Sequence, residues 1–112
     1  MKIQIEDTKY EKVITEKEIN FPFIGWWSNK KEEIIKIDYE YYDYNPEIPK
    51  GLKCIIVKNG WNINPSIVAN TILISNGVVN NDIIPLLRDY ADIATEQEFQ
   101  EFVQITIKAL LK

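Results

Sequence analysis

The chain has no histidine and a single cysteine among its 112 residues. Without histidine it lacks the commonest general base, the serine–histidine and cysteine–histidine nucleophile pairs, and the usual zinc sites. The cysteine, Cys54, lies in the apolar segment LKCIIVK, where a thiol behaves as a small hydrophobic group, so we interpret it as a core residue. One cysteine cannot form an internal disulfide, which fits a reducing compartment, and we predict a cytoplasmic location.

Glycine is also scarce, and the chain has no long apolar run. Its four glycines stand singly, without the clustered spacing of a phosphate-binding loop, so we predict no nucleotide or other cofactor. The longest uninterrupted apolar run is Cys54–Val57, whereas a membrane-spanning helix needs about 20 apolar residues. The first residues, MKIQIED, lack the apolar core of a signal peptide. We therefore predict that the chain neither spans a membrane nor is exported.

The 13 basic residues form no concentrated cluster, because they are interspersed with 17 acidic residues in a chain of net charge −4. Phosphate backbones require concentrated Lys and Arg side chains, so we predict no nucleic-acid partner. No acidic residue lies between Gly51 and Asn81, where Lys53 and Lys58 carry the only charges. Such a neutral segment is typical of a central strand and an inner helix, or alternatively of an uncharged surface for self-association.

The composition is that of a soluble globular domain, with 46% hydrophobic and 27% charged residues. A chain of this length can bury roughly two thirds of its unfolded surface without a metal or a disulfide. No linker or internal repeat is visible, so we predict a single domain over residues 1–112.

Alternating apolar and polar residues predict an antiparallel sheet in the N-terminal half. KEINFPFI and IIKIDYEYY both alternate with the period of a half-buried strand, and the polar SNKKEE between them predicts a hairpin. Pro22 predicts an edge position or a bulge. LKCIIVK, apolar at odd and even positions, predicts a central strand followed by a two-residue turn at Asn59 and Gly60. KIQIE and EKVIT predict one or two further short strands.

Helical signals dominate the C-terminal half. An Asn-Pro start signal and a Gly stop signal bracket residues 65–76, so we predict a helix there, with a strand as the alternative because the segment is rich in β-branched residues. Apolar residues recur at helical spacing over 83–91, and TEQE at 95–98 is a capping box that begins a last helix. The sequence therefore predicts an α+β fold, a mostly antiparallel sheet of about four to five strands packed against two or three C-terminal helices.

The strand IIKIDYEYY and the residues after it supply a candidate protein-binding face. Alternation places the tyrosines Tyr39 and Tyr41 on the inward face with the isoleucines. The outward face combines carboxylates with amphipathic rings, which often anchor protein contacts: Asp38, Glu40, Tyr42 and Tyr44. A solvated sheet surface, with Lys36 as partner of the carboxylates, is the alternative interpretation.

GWW, at residues 25–27, supplies a second candidate surface. An exposed Trp ring is a flat platform for a sugar or another aromatic ring, so Trp26 and Trp27 form a candidate aromatic platform. Alternation predicts that Trp27 follows the buried face and Trp26 the other. Alternatively, both rings cap the hydrophobic core at the end of a strand.

No catalytic residue is predicted. Carboxylates are the remaining catalytic groups, and Asp38 with Glu40 lie close enough to share a hard cation. Asp43 points the other way and would join them only through a bulge. We therefore predict no metal site.

These observations favour a non-catalytic protein-binding module of the immunity, inhibitor or accessory-factor type, of microbial or mobile-element origin. Because the chain is acidic, its partner could be a basic protein. One alternative is a homo-oligomeric structural subunit, of phage or assembly type, that uses the neutral Gly51–Asn81 segment or an open sheet edge. Another is a carbohydrate-binding or other ligand-binding module centred on Trp26 and Trp27.

Overall fold

A computed structural model describes residues 2–7, 13–41, 50–60, 64–75, 78–79 and 83–112, and the side chains of 18–40, 50–60, 64–74 and 83–112. The described part contains strands and two helices in a mixed order. In chain order these elements are β1 (Lys2–Asp7), β2 (Val13–Glu18), β3 (Phe23–Trp26), β4 (Glu33–Tyr41), β5 (Lys50–Lys58), β6 (Ser66–Ser75), β7 (Val78–Val79), α1 (Ile83–Asp89), β8 (Asp92–Ile93) and α2 (Glu96–Leu110).

The strands form two antiparallel sheets. β1 pairs with β2, and the other six strands form a second sheet in the order β7-β6-β5-β4-β3-β8. β3 and β4 make the predicted hairpin, and β5 lies between β4 and β6 as the predicted central strand. Both helices pack on the main sheet, so the predicted α+β class is confirmed.

The centre of the main sheet is buried on both faces, because β4 and β5 are apolar at odd and even positions. On one face, which we call the α1 face, the buried side chains share a core with α1: Ile35, Ile37, Leu52, Cys54, Ile72, Ile74, Ile83 and Leu87. On the opposite face, the α2 face, they share a second core with α2: Ile24, Trp26, Ile34, Val57, Phe99 and Phe102. Burial raises the pKa of the Cys54 thiol to about 11, as expected of a core cysteine.

β4 contains a bulge, because two of its residues, Asp38 and Tyr39, lie opposite one residue of β5, Lys53. Directly opposed residues of an antiparallel pair share a face, so an extra residue reverses the alternation beyond the bulge. Glu40 pairs with the buried Leu52 and therefore lies on the α1 face. Asp38 lies on the α2 face.

The segment predicted as a helix over 65–76 is strand β6, so that prediction was wrong and the strand alternative holds. β6 pairs with β5 in unbroken register from Ser66 to Ile74. Its β-branched residues suit a pleated surface, and the Asn-Pro and Asn-Gly pairs that bracket it are turn signals as well as helix-end signals. Lys58, the last residue of β5, pairs with Ser66, so the predicted two-residue turn at Asn59 and Gly60 was also wrong.

The strand predicted in KEINFPFI is interrupted. β2 ends at Glu18 and β3 begins at Phe23, with a cis peptide bond between Phe21 and Pro22. The apolar positions still face inward, since Ile19 and Phe23 are buried and Phe21 is half-buried. Because proline donates no ladder hydrogen bond, the break falls where the sequence places Pro22.

The predicted capping box fixes the start of α2. The Thr95 hydroxyl accepts a hydrogen bond from the Glu98 backbone N–H, and the Glu98 carboxylate accepts one from the Thr95 N–H, both at 3.1 Å. The indole N–H of Trp26 donates to the second Glu98 oxygen at 3.3 Å. The bond from the Thr95 backbone, followed by the bond from Trp26, lowers the pKa of Glu98. This box therefore joins α2 to β3.

The chain that leaves α1 passes directly over Gly25 of β3. A Cβ at this position would collide with the backbone carbonyl oxygen of Tyr90. We expect Gly25→Ala to lower the free energy of unfolding by about 1–3 kcal/mol, the usual cost of overpacking, because one backbone must shift. Chemical denaturation measures the change. Asn29→Ala, in the exposed turn after β3, is the control and should stay within about 0.5 kcal/mol of the parent; equal stability of the two variants would contradict the close approach.

Candidate functional site

The predicted binding face is not one surface. The β4 bulge places Asp38 and Glu40 on opposite faces of the sheet, so the prediction that they share a face was wrong. Each carboxylate also has a lysine nearby, with Lys36 Nζ 3.9 Å from Asp38 and Lys50 Nζ 3.8 Å from Glu40. The remaining members of that face and the third candidate carboxylate lie outside the described residues: Tyr42, Tyr44 and Asp43.

Tyr39 was predicted to point inward, and this was wrong because the bulge turns it to the α2 face beyond the cover of the helix. The side chain is 51% exposed. The ammonium group of Lys53 lies 5.2 Å from the centre of the Tyr39 ring, a cation–π contact. Tyr39 is therefore a half-solvated surface residue, and the side chain of Tyr41 lies outside the described residues.

The two tryptophans do not form a platform. Trp26, predicted to face outward, is only 7% exposed, and its ring meets Phe102 of α2 edge to face with centroids 5.0 Å apart. Trp27, predicted to follow the buried face, is 42% exposed. Alternation does not separate a buried from an exposed face here, because all four residues of β3 are buried. A carbohydrate-binding pair at Trp26 and Trp27 therefore has no support, since one ring is used for packing.

Lys36 lies between two carboxylates, Asp38 and Glu96, where α2 packs on the sheet. Its ammonium group lies 2.8 Å from Glu96 Oε1 and 5.5 Å from the centre of the Phe99 ring. The hydrogen bonds from Lys36 and then from Gln100 lower the pKa of Glu96. The carboxylates of this surface are thus already paired within the chain, which reduces what they can offer a basic partner.

A buried polar cluster on the α1 face escaped the sequence prediction. The Tyr90 hydroxyl donates to Glu33 Oε2 at 2.7 Å, and Lys58 Nζ lies 3.4 Å from Glu33 Oε1. Burial, followed by the hydrogen bond to Glu33, raises the pKa of Tyr90 far above its usual range, so the hydroxyl stays protonated and donates. No sequence signal singles out Glu33 from the other acids. Because Glu33 accepts from Tyr90 and lies close to Lys58, we interpret the cluster as a support of the fold.

A groove of about 400 Å³ runs beside β8. Its lining includes the apolar residues Phe23, Ile24 and Ile93 and the acidic residues Glu18 and Glu96. Glu96, the residue that α2 contributes to this groove, forms an ion pair with Lys36. Its carboxylate would have to leave Lys36 before it could orient a ligand.

Among the described strands of the main sheet, β6 carries the largest number of exposed large apolar side chains. Among the described residues, β7 covers only Ile74 and Ser75, so the backbone from Ser66 to Leu73 has a strand partner on one side only. Three large side chains of this stretch are exposed, Ile67 by 38%, Val68 by 43% and Leu73 by 44%. β6 contains no charged residue. Ser66–Leu73, which we call the open edge, is therefore the candidate site.

Two other kinds of site find no support in the described part of the chain. No group of three or more Cys, Asp or Glu side chains is arranged there to hold a metal ion, and the bulge separates Asp38 from Glu40 rather than gathering them. Neither described helix is long and apolar enough to cross a membrane.

Comparison of the chain with protein-family models, with curated proteins and with solved structures gives no match in any of the three. Among the described strands, the open edge of β6 combines unpaired backbone groups with several exposed apolar side chains.

The cluster of Glu33, Tyr90 and Lys58, which we call the Glu33 cluster, can be tested by removing the hydroxyl group from each of two tyrosines. Tyr90→Phe deletes the hydrogen bond to a buried carboxyl group, so we expect the free energy of unfolding to fall by about 1–3 kcal/mol. Tyr39→Phe deletes the same atom from a half-exposed ring and should change it by less than about 0.5 kcal/mol. Urea denaturation of both variants measures the difference. A loss below about 0.5 kcal/mol for Tyr90→Phe as well would show that the hydrogen bond between Tyr90 and Glu33 adds little to stability.

Proposed function

We propose that the protein is a non-catalytic protein-binding module that accepts an extended strand of its partner at the open edge of β6. The supporting observation is that this edge is long, apolar and uncharged. Native sheets usually protect an edge with charges, proline, a bulge or a covering element, because unpaired N–H and C=O groups recruit other strands. An added strand would pair these groups and supply affinity.

The side chains of the open edge would determine which partner strands bind there. Ile67 and Leu73 lie on the α2 face, and Val68 lies on the α1 face, as their pairing with β5 requires. An added strand places alternate side chains against these two rows, so it is recognised by its own apolar alternation. The predicted acidic face contributes less to this proposal, because the carboxylates of Asp38 and Glu40 are balanced by lysines.

An inhibitor, an immunity protein and an accessory factor each act by holding one partner, which is what such an edge allows. A cytoplasmic location belongs to the same proposal. Its support is the lone cysteine, whose thiol is buried in the core and forms no disulfide.

A peptide selection tests strand addition directly. Immobilised protein is presented with a phage-displayed library of random linear decapeptides, and we expect it to select apolar, β-branched sequences. Thr71→Lys, an exposed change in the middle of the open edge, places a charge where a partner strand must pair. We expect the affinity of a selected peptide to fall at least tenfold in fluorescence polarisation.

The matched control is Asn29→Lys, which adds the same charge in an exposed turn two strands away. It should leave the affinity unchanged. Peptides that bind the Thr71→Lys variant as tightly as the parent, or a selection that yields no peptide, would overturn the proposal.

A further inference from the structure

β7 limits where a partner strand can lie along β6. Val79 pairs with Ile74, so the place beside Ile74 is taken, and an added strand reaches no further than Leu73. At the other end Pro65 has no backbone N–H to donate to a strand pair. The exposed apolar side chains all lie within residues 67–73, and a strand of seven residues is about 23 Å long.

Antiparallel pairing is the favoured direction for the added strand. Each strand pair described in the main sheet is antiparallel, including that of β6 with β7. Antiparallel pairs are also slightly more stable per residue than parallel ones. We number the seven positions of such a partner strand from its N-terminal end, so that position 1 lies opposite Leu73 and position 7 opposite Ile67. A residue before position 1 would meet β7, so the partner chain begins there or turns out of the sheet.

The exposed apolar side chains lie at the two ends of this stretch. Directly opposed residues of an antiparallel pair share a face, so positions 1 and 7 meet Leu73 and Ile67 on the α2 face. Position 6 meets Val68 on the α1 face. Because these three side chains are exposed, an apolar residue at position 1, 6 or 7 covers apolar surface that water otherwise contacts.

The middle of the stretch is small or polar. Positions 3, 4 and 5 lie opposite Thr71, Asn70 and Ala69, which are all exposed. The side-chain amide of Asn70 both donates and accepts hydrogen bonds, so a threonine or an asparagine at position 4 would match it. The pattern expected of a partner strand is therefore apolar at its ends and small or polar in its middle.

The open edge has no charge of its own to pair with a charged partner strand. The lysines of β5 beside it already have neighbours within the chain. Lys58, opposite Ser66, lies 3.4 Å from a Glu33 oxygen, and the ammonium group of Lys53 lies 5.2 Å from the centre of the Tyr39 ring. A charged side chain at position 1, 6 or 7 would lie against an apolar residue and lose hydration without gaining a countercharge.

A second copy of β6 does not fit this edge. Antiparallel pairing of two copies about Asn70 would match their apolar residues, but it would place Ser66 of the second copy where Val79 lies beside β6. Pairing about Ala69, which β7 permits, would set Ile67 opposite a threonine. The partner strand therefore comes from a different protein.

We propose that the open edge binds an uncharged seven-residue segment of another protein, antiparallel to β6. The segment has apolar residues at positions 1, 6 and 7 and small or hydrogen-bonding residues at positions 3 to 5. This rests on the proposed strand-addition function and names the kind of strand that binds. The neighbouring Ile67 and Val68 select one end of the segment, and Leu73 selects the other.

Serine substitution in a peptide from the library selection tests the pattern. Serine at position 1, 6 or 7 should lower the affinity about three- to tenfold, because an apolar contact with β6 is lost. Serine at position 3 or 5 should change it by less than about twofold. Fluorescence polarisation measures both sets of peptides. Equal losses at the ends and in the middle would overturn the pattern.

Disulfide cross-linking tests the direction and the register. Ala69 and Thr71 are exposed on the α2 face, opposite to the face of Cys54. In the proposed register Ala69→Cys lies opposite position 5 and Thr71→Cys opposite position 3, at a separation that a disulfide can span. Each variant should therefore cross-link, under oxidation, to a peptide with cysteine at its own opposed position. Asn29→Cys measures collisional cross-linking. In a parallel strand the two combinations are exchanged, and that result would overturn the proposed direction.

The possible failures separate this inference from the proposed function. Selected peptides that Thr71→Lys weakens, but that lack the pattern or cross-link in the exchanged combinations, overturn the inference and leave strand addition standing. A parent protein that dimerises at about 1 mM, where small interfaces associate, and whose dimer Thr71→Lys dissociates, makes a second copy the partner and also overturns the inference. A selection that yields no peptide overturns the inference and the proposed function together.

Discussion

The arrangement of this protein depends on the burial of β4 and β5 on both faces. Ile34 and Ile35 are neighbours in the chain, point to opposite sides of the sheet and are both fully buried. Full burial of one such side chain contributes about 1.5–3 kcal/mol, so leaving either face in water would forfeit a large part of the stability of a small domain. Each face consequently needs its own helix. α1 covers one and α2 the other, and the chain reaches both because it crosses the sheet edge between them, at Gly25 and β8.

Many polar and aromatic side chains of the main sheet are used to hold the two helices in place. Trp26 packs on Phe102 and bonds to Glu98, while Lys36 bonds to Glu96, so the polar and aromatic groups between β3, β4 and α2 are occupied. A carboxyl group and a hydroxyl on the other face are likewise paired in the Glu33 cluster. A side chain that holds an element in place cannot also present itself to a ligand without loosening that element. β6 differs, because α2 leaves its α2-face side chains exposed.

The features that the sequence predicted correctly are those that local chemistry determines. The hairpin of β3 and β4, the central position of β5 and the capping box at Thr95 follow from alternation, two-sided apolarity and a cap motif, each readable within a few residues. The failures share a non-local cause. Whether 66–75 forms a strand is decided by pairing with β5, and the outward turn of Tyr39 by one extra residue opposite Lys53. The inward ring of Trp26 is decided by α2, about 70 residues later in the chain. Similarly, nothing near Glu33 in the sequence indicates that Tyr90 will bond to it.

The two ends of the main sheet differ in a way that bears on function. At one end the edge is β8, two residues long, with the exposed carboxylate of Asp92 and with α2 beginning shortly after it. Shortness, charge and a nearby helix are the usual protections of an edge. At the other end, β7 is equally short, but it covers only the last residues of a ten-residue β6, and the stretch before them has neither charge nor cover among the described residues. An unprotected edge leaves backbone groups open to pairing with other strands. The proposed partner strand would pair these groups and cover apolar side chains at alternate and adjacent positions of β6.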